Sequence, residues 1–307
     1  MYNQTGQVLS EAHQKSLAGL SKLSLFDSQE PEASPVSDEL IMSWLGVTSD
    51  IFYIRKIESG DIILWEIFAT YVHLIKLIET ELIVSNIDYI LWPDNWTEPP
   101  KLLVFDMDST FIEIEVIDEL ARQHGVGTSV SKVTEAAMRG ELDFSESLIS
   151  RVACLENLAE SAIKSICKNL PLSRGIAQLI EHAKANHIKI VIVSGGFAPF
   201  VDHIKQQLSI YRVRANQLEV NNGFLTGKLV GPIIDAQAKA DFVNELKIEL
   251  GLESNEIMTI GDGANDLLMM RESGFSLAYR AKPAVQEKAK GRMNQTHLNH
   301  LINVFEW

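Results

Sequence analysis

Two short acidic segments contain the residue types best suited to chemistry. Asp106 and Asp108 stand two residues apart in DMDST, directly after the apolar run 102–105. A carboxylate held where a strand gives way to a loop can act as a nucleophile and form an aspartyl-phosphate. A second carboxylate beside it can supply and withdraw protons. The pattern favours a nucleophilic acid–base site over the plainer alternative, a turn with solvated aspartates.

The second acidic segment is GDGAND, residues 261–266, which follows the apolar run 257–260. Its glycines allow a tight loop that approaches a ligand closely. Asp262 and Asp266, together with the first acidic pair, would crowd carboxylates into one pocket, which requires a cation. Mg²⁺ is the natural choice because it prefers oxygen ligands and works with substrate phosphates. A calcium-binding EF-hand is excluded because its oxygen spacing and terminal Glu are absent.

Two weaker signals lie between the acidic segments. Ser194 and Gly195, in SGG, offer a hydroxyl and backbone amides that suit phosphate oxygens. Lys239 can balance phosphate and carboxylate charge. Taken alone, the SGG segment is a weak signal, since a plain glycine-rich turn has the same composition. Lys239 alone would be interpreted as a solvated helix residue.

The elements that must position these residues are three apolar runs, 102–105, 188–193 and 257–260. Continuous apolar strands are typical of a parallel sheet covered on both faces. Each run ends in small or polar residues, and ligands bind beyond the carboxyl ends of such strands. About 80 helical residues separate the first two runs, too many for a simple crossover, which predicts an inserted helical cap.

The predicted organisation has three parts. Residues 1–40 are polar and are expected to form a poorly ordered leader. Residues 41–98 show strand and helix patterns typical of a small α/β unit. Residues 99–307 form the catalytic domain, with the cap at about 116–182 and a hairpin turning at Asn222-Gly223.

Charge and composition limit the partners. Lys plus Arg number 27 and Asp plus Glu 41, a net charge of −14 that opposes binding to nucleic acid or an anionic membrane. Cys154 and Cys167 form no CxxC pair, so they are expected to be reduced thiols. The greasiest stretch, 62–84, is interrupted by charges, and the first residues lack a signal-peptide pattern. A cytoplasmic enzyme is expected, with a homodimer as the candidate assembly.

The ordered set DMDST, SGG, Lys239 and GDGAND resembles the haloacid dehalogenase-like phosphohydrolases. The longer segments VFDMDSTFIEIEVIDELA, TEAAMRGELDFSESLISRV, IVSGGF, IDAQAKA and IGDGANDLLMM are similar to family members that hydrolyse O-phospho-L-serine. The resemblance covers about residues 100–290. It implies an α/β fold with a Rossmann-like parallel sheet and inserted helical cap. It also implies Mg²⁺-dependent release of L-serine and phosphate, the last step of serine biosynthesis.

The resemblance further implies roles for the acidic residues. Asp106 would attack phosphorus, and Asp108 would protonate the leaving serine and then accept a proton from water. Mg²⁺ would be held by Asp106, the Asp108 backbone carbonyl and Asp262. Asp266 would orient the site from behind these ligands.

Substrate contacts are implied in the same way. In the cap, Glu115 would meet the ammonium, and Arg151 would pair with the carboxylate in a two-pronged geometry. Without the resemblance, both are more simply surface charges. The other implied contacts are Ser194, Gly195 and Lys239 at the phosphoryl group, Asn265 beside it, and Met138 and Phe144 closing over the substrate.

Two alternatives stay open. The same chemistry would serve another small phosphorylated metabolite, or phosphoryl transfer to an acceptor alcohol. A non-enzymatic amino-acid-binding protein is disfavoured because it gains nothing from a complete acidic set. The N-terminal unit resembles the amino-acid-binding ACT modules of some relatives only in its α/β pattern, so serine sensing, scaffolding and dimerisation remain alternatives.

Overall fold

The computed structural model describes residues 20–28, 36–37, 39–41, 43, 51–59, 62–92 and 99–305. Its strands are β1 (Ser21–Ser28), β2 (Ile51–Ser59), β3 (Ile62–Ala69), β4 (Asp88–Leu91), β5 (Leu102–Phe105), β6 (Lys189–Phe197), β7 (Arg212–Asn221), β8 (Phe224–Val230), β9 (Ile257–Gly261), β10 (Phe275–Tyr279) and β11 (Gly291–Met293). They form one sheet in the order β2-β3-β1-β4-β11-β10-β9-β5-β6-β7-β8.

The helices connect these strands. They are α1 (Tyr71–Leu77), α2 (Val116–His124), α3 (Gly127–Met138), α4 (Phe144–Ala153), α5 (Ser161–Cys167), α6 (Ile176–Ala185), α7 (Ala198–Leu208), α8 (Ala236–Leu250), α9 (Leu267–Arg271), α10 (Pro283–Gln286) and α11 (Leu301–Val304). Single turns of other helix types occur at Ile78–Leu82, Met107–Phe111, Ser254–Glu256, Ala264–Asp266 and Leu298–His300. Across the described ranges, no helix combines the length and apolar character needed to cross a bilayer.

Residues 99–305, which belong to the predicted catalytic domain and are called the catalytic half, contain the parallel sheet that the sequence predicts. Strands β11, β10, β9, β5, β6 and β7 pair in parallel. The central strand β5 is buried on both faces, with Leu103 and Phe105 in one core cluster and Leu102 and Val104 in another. Because β5, β6 and β9 run in parallel, their carboxyl ends meet at one edge, where the acidic loops begin.

The inserted helices α2 to α5 lie between β5 and β6 in the chain, as predicted for a cap. The β7–β8 hairpin packs against them, because Leu225 N donates to the Leu158 carbonyl at 2.8 Å. The hairpin turns through Asn222 and Gly223 at φ of 51° and 81°, the left-handed geometry expected of this pair. Helix α6 contacts β6 and the Leu298–His300 turn, so the predicted cap end at about residue 182 falls inside a helix of the core.

The N-terminal strands are all antiparallel, in the order β2-β3-β1-β4, the order of ferredoxin-like βαββαβ units. On one face Leu23 and Leu25 pack with Leu74 of α1. On the other, Trp92 contacts Phe275 of the catalytic half, with ring centroids 4.9 Å apart. Strand β4 also pairs with β11, so both halves share one sheet. Likeness to ACT modules stays a prediction.

Strand β1 lies inside the stretch expected to be a poorly ordered leader. It pairs with β3 on one side and β4 on the other. The strand is rich in polar residues, but apolar and polar side chains alternate along part of it, so that Leu23 and Leu25 face the core. The nearest pairing partners, Ser28 and Ile62, are 34 residues apart, so local composition does not reveal the strand. Residues 1–19, 29–35 and 38 of the leader, and the linker 93–98, lie outside the described residues.

Candidate active site

A cavity of about 570 Å³ opens at the carboxyl ends of β5, β6 and β9, beneath the inserted helices. Most of the predicted site residues line it: Asp106, Asp108, Glu115, Met138, Phe144, Arg151, Gly195, Asp262 and Asn265. Ser194, Lys239 and Asp266 are fully buried behind its wall. Residues far apart in sequence therefore converge on one site.

Asp106 is fixed at the end of β5. Its N–H donates to the Ile260 carbonyl at 2.9 Å, which ties it to β9. Its Oδ1 accepts from the Met107 N–H at 2.8 Å and from Lys239 Nζ at 2.7 Å. No described residue donates to its Oδ2 in a hydrogen bond, so this oxygen is the one open to a ligand.

Lys239 lies between two carboxylates. Its Nζ donates to Asp106 Oδ1 and to Asp266 Oδ1, each at 2.7 Å. It stands one turn into α8, which Asp235 caps by accepting from the Ala238 N–H. Burial opposes its charge, but Asp106 and Asp266 outweigh burial and raise the pKa of Lys239. The lysine is therefore a permanent cation that holds the two carboxylates in place.

Burial and the Asp266 charge raise the pKa of Asp106 well above its ordinary value, and the Lys239 ammonium opposes this rise. Water is largely excluded at this point, because Asp106 is only 5% exposed. A carboxylate in such a place is weakly solvated. It therefore needs a cation in order to stay ionised and reactive.

Asp108 has a different environment. Its Oδ1 accepts from the Val116 N–H at 2.8 Å, and its Oδ2 accepts from Ser194 Oγ at 3.3 Å. Burial and the Glu115 charge raise the pKa of Asp108 to about 7. A carboxyl group that exchanges its proton near neutrality suits a general acid and base. The two aspartates therefore differ in environment as their predicted roles require.

Gly196 leaves room for this arrangement. A Cβ on Gly196 would lie 2.4 Å from Asp108 Oδ2. Its N–H donates to Ser194 Oγ at 2.8 Å, so the hydroxyl is oriented toward Asp108. Ser194 thus supports the Asp108 carboxyl group from inside the wall. Gly195, which was predicted to meet the phosphoryl group, lines the cavity itself.

The carboxylates suit a magnesium ion. Asp106, Asp262 and Asp266 each place one oxygen within 4.8 Å of the others. Both oxygens of Asp266 are already occupied, by Lys239 Nζ at 2.7 Å and by the Gly263 N–H at 3.0 Å. Asp266 therefore orients its neighbours, which leaves Asp106 and Asp262 as side-chain ligands. A small cluster of oxygen donors that leaves positions for substrate oxygens is typical of Mg²⁺.

Asp262 is itself supported by Thr110, whose hydroxyl donates to Asp262 Oδ1 at 3.4 Å. Burial and the Asp266 charge raise the pKa of Asp262 to about 6. The Asp108 side chain points away from this cluster, toward Val116 and Ser194. Only its backbone carbonyl, the contribution predicted for it, remains as a candidate ligand.

The inserted helices bring opposite charges to the far side of the cavity. Glu115 precedes α2 and accepts from Ser109 Oγ at 2.7 Å. Arg151 lies on α4, and its Nε is buried without a hydrogen-bond partner among the described residues. Burial lowers the pKa of Arg151, and Glu115 and Asp118 oppose this change. An unpartnered guanidinium nitrogen beside a carboxylate is suited to a zwitterionic ligand.

The two apolar cap residues differ in exposure. Phe144 lies against the carboxyl end of β6, since a Cβ on Gly195 would come 2.9 Å from Phe144 Cζ. Met138 also lines the cavity but is 81% exposed. The aromatic ring therefore already packs against Gly195 of β6, whereas Met138 is left largely exposed.

Sequence reasoning missed several supporting residues. Ser109 and Thr110 lie in the DMDST motif, beside the predicted aspartates. Nothing in the sequence indicated that they would donate hydrogen bonds to Glu115 and Asp262. Lys282 lines the cavity, and its N–H donates to the Asp262 carbonyl at 3.1 Å. No motif marks Lys282. It reaches the cavity only because strand β10, which precedes it, ends at the same edge of the sheet.

Comparisons with known proteins agree with this geometry. The family model for haloacid dehalogenase-like hydrolases matches residues 103–271. A phosphoserine phosphatase of Idiomarina loihiensis is 45% identical over 201 residues, 66% of this chain and 91% of that protein. One from Archaeoglobus fulgidus is 39% identical over 222 residues, 72% of this chain and 64% of that protein.

Solved structures are similar as well. A probable phosphoserine phosphatase of Vibrio cholerae superposes with a TM-score of 0.75 at 33% identity, covering 93% of this chain and 86% of that one. A haloacid dehalogenase family hydrolase of Salmonella enterica gives 0.84 at 25% identity, covering 94% and 99%. The chain belongs to the haloacid dehalogenase-like hydrolase family. The predictions of an α/β fold of this family and of a phosphatase are confirmed.

Proposed function

We propose that this chain is a Mg²⁺-dependent phosphoserine phosphatase that hydrolyses O-phospho-L-serine through an aspartyl-phosphate. The observation that carries the proposal is the pairing of two groups across one cavity. Asp106, Asp108 and Lys239 lie on the sheet side, while Glu115 and Arg151 face them from the inserted helices. The first group suits a phosphate ester, and the second suits the ammonium and carboxylate of an amino acid.

In the first step, Oδ2 of Asp106 attacks phosphorus and the bond from phosphorus to the serine oxygen breaks. Asp108 donates its proton to that oxygen, which leaves as the serine hydroxyl. The Lys239 ammonium holds Oδ1 of Asp106 at 2.7 Å and directs the other oxygen toward the cavity. Proton donation is feasible at neutral pH because the pKa of Asp108 is about 7.

In the second step, water attacks phosphorus and Asp108 accepts its proton. The bond between phosphorus and Asp106 breaks, which releases inorganic phosphate and restores the carboxylate. A bound Mg²⁺, held by Asp106, Asp262 and the Asp108 carbonyl, would neutralise charge between the nucleophile and the phosphoryl oxygens. Gly195, near the carboxyl end of β6, lines the cavity where phosphoryl oxygens would lie.

Glu115 and Arg151, the pair that faces the sheet from the inserted helices, would select the substrate. Glu115 would pair with the ammonium, and Arg151 would present its fork of donors to the carboxylate. The similar proteins described above as phosphoserine phosphatases support this substrate class. A place in serine biosynthesis, a cytoplasmic location and homodimerisation are part of the same proposal.

Phosphate release is the test, measured with phosphoserine and with a generic aryl phosphate, each with Mg²⁺ and with chelator. Phosphoserine turnover should require Mg²⁺ and vanish in Asp106→Asn. Glu115→Gln and Arg151→Ala should reduce phosphoserine turnover far more than aryl phosphate turnover. An equal reduction for both substrates would sink the assigned specificity. A beryllofluoride adduct on any residue other than Asp106 would sink the mechanism.

A further inference from the structure

The N-terminal half meets the catalytic half along a seam that includes the antiparallel pair of β4 and β11. Ile90 pairs with Gly291 and Tyr89 with Arg292. The fit is close, since a Cβ on Gly291 would lie 2.8 Å from the Tyr89 carbonyl oxygen. This pairing places the start of β4 beside the segment that follows β11.

Asp88, the first residue of β4, organises that segment. It is 2% exposed, and it accepts four hydrogen bonds from three consecutive residues. The donors are Asn294 N at 2.7 Å, Gln295 N at 2.9 Å, and Thr296 N and Oγ1, both at 2.8 Å. A buried carboxylate with its bonds filled in this way fixes the backbone of all three donors.

Asn294 connects Asp88 to Gln286, which lies closer to the active site. Its Nδ2 donates to Gln286 Oε1 at 3.0 Å. Gln286 in turn donates its Nε2 to the Ala281 carbonyl at 2.5 Å. Side chains therefore link the N-terminal strand to the short segment 280–282 that follows β10.

Segment 280–282 touches the proposed metal site. Arg280 adopts a left-handed backbone, with φ of 46°, which is unfavourable for a residue with a side chain. Two residues later, the Lys282 N–H donates to the Asp262 carbonyl at 3.1 Å, and Lys282 lines the cavity. A segment with strained backbone holds its shape only when its neighbours fix it.

We infer that Asp88, Asn294 and Gln286 form a positioning relay through which the N-terminal strand β4 holds segment 280–282, and with it Asp262, in place for the metal. The N-terminal half is then part of the catalytic apparatus. This inference rests on the proposed magnesium site. Partners behind metal ligands commonly change metal affinity when removed, without changing the chemistry of the ligands themselves.

The test compares two glutamines of the same seam in the full-length protein. Gln286→Ala breaks the relay. Gln295→Ala is the matched control, because its Nε2 donates to the Asn86 carbonyl at 2.7 Å and the bonds from Asp88 through Asn294 and Gln286 to Ala281 do not use its side chain. Mg²⁺ affinity is measured by calorimetry without substrate, and the Mg²⁺ concentration for half-maximal activity is measured separately.

Gln286→Ala should weaken Mg²⁺ binding about tenfold, with kcat at saturating Mg²⁺ within about twofold of the wild type. Gln295→Ala should bind Mg²⁺ like the wild type. If Gln286→Ala does not fold, Asn294→Ala serves instead, since it keeps the backbone bond to Asp88, and the same loss is expected. Unchanged affinity in the folded relay variant, or an equal loss in Gln295→Ala, would overturn the inference.

These outcomes are distinct from a failure of the proposed function. If the wild type binds Mg²⁺ but does not hydrolyse phosphoserine, the proposed substrate is wrong, while the calorimetric comparison of Gln286→Ala with Gln295→Ala still decides the relay.

Discussion

Ser109 donates its hydroxyl to the Glu115 carboxylate at 2.7 Å, across the turn that follows β5. Ser109 reaches this position with φ of 57°, and its N–H donates to the Ile114 carbonyl at 3.2 Å. The same turn that follows Asp106 and Asp108 thereby fixes the carboxylate proposed to bind the substrate ammonium. One turn therefore positions both the aspartates proposed for the chemistry and the carboxylate proposed for substrate specificity.

Ser109→Ala should lower kcat/KM for phosphoserine about tenfold, because a hydrogen bond to a charged group contributes roughly 1.5–3 kcal/mol. Turnover of an aryl phosphate, which has no ammonium, should change little. Ser109→Gly removes the same hydroxyl but relieves the left-handed backbone, so it should behave like the alanine variant. Ser109→Asn tolerates this backbone and retains a donor, so it should recover part of the loss.

Parallel phosphate-release assays on the two substrates would measure these effects. If Ser109→Gly restores wild-type kinetics, backbone strain rather than the hydroxyl is responsible, and the assigned contact is wrong.

Lys239 is expected to be essential for both folding and activity. Lys239→Met removes the cation and leaves Asp106 and Asp266 buried and unpaired, which should cost about 3–5 kcal/mol in the free energy of unfolding. Asp266→Asn keeps the shape and an acceptor for Lys239, so its loss should be smaller. Urea denaturation of both variants, at equal Mg²⁺, measures the difference. Equal stabilities for the two variants would contradict this account.

The contrast between β5 and β1 shows how far sequence alone reaches. Asp106 and Asp108 were predicted because an apolar run of four residues ends at them, and a motif that follows such a strand is a local signal. Strand β1 has no comparable run, and its pairing with β3 and β4 depends on chain far away.

Long-range contacts limited the site prediction in the same way. Thr110 and Asp262 are 152 residues apart, and Asp88 and Asn294 are 206 apart. Neither pair has a spacing that a sequence reader can recognise. Lys239 was identified only through the order of the family's motifs, because a lysine one turn into a helix is usually solvated.

Gly196 and Gly195 are adjacent, yet alanine should affect them differently. At Gly196 the new Cβ would come 2.4 Å from Asp108 Oδ2, which is already held by Ser194. Asp108 would have to move, so kcat for Gly196→Ala should fall by about two orders of magnitude, the scale of general acid–base catalysis. At Gly195 the neighbour at 2.9 Å is the edge of the Phe144 ring.

That ring is an apolar side chain at the start of α4, so we expect it to yield more readily than the hydrogen-bonded carboxylate of Asp108. Gly195→Ala should therefore raise KM more than it lowers kcat. Steady-state kinetics on both variants would separate the two effects. A Gly196→Ala enzyme with near-normal kcat would show that the position of Asp108 does not control the proton transfers.

The acidic cluster predicts that Mg²⁺ stabilises the protein more at high pH. Burial raises the pKa of Asp108 from 3.8 to about 7, and that of Asp262 from 3.8 to about 6. A carboxyl group with a raised folded-state pKa favours folding at low pH, and this contribution is lost as pH rises through the folded-state value. Metal-free protein should thus lose stability between about pH 4 and pH 7.

Mg²⁺ binds ionised carboxylates, so its stabilising effect should grow across the same interval. Melting temperatures with Mg²⁺ and with chelator, at pH 5 and pH 8, measure it. The increase on adding Mg²⁺ should be larger at pH 8, and Asp262→Asn should reduce that increase by removing a ligand. An equal increase at both pH values, or a larger one at pH 5, would mean that Mg²⁺ does not bind at the buried carboxylates of Asp106 and Asp262.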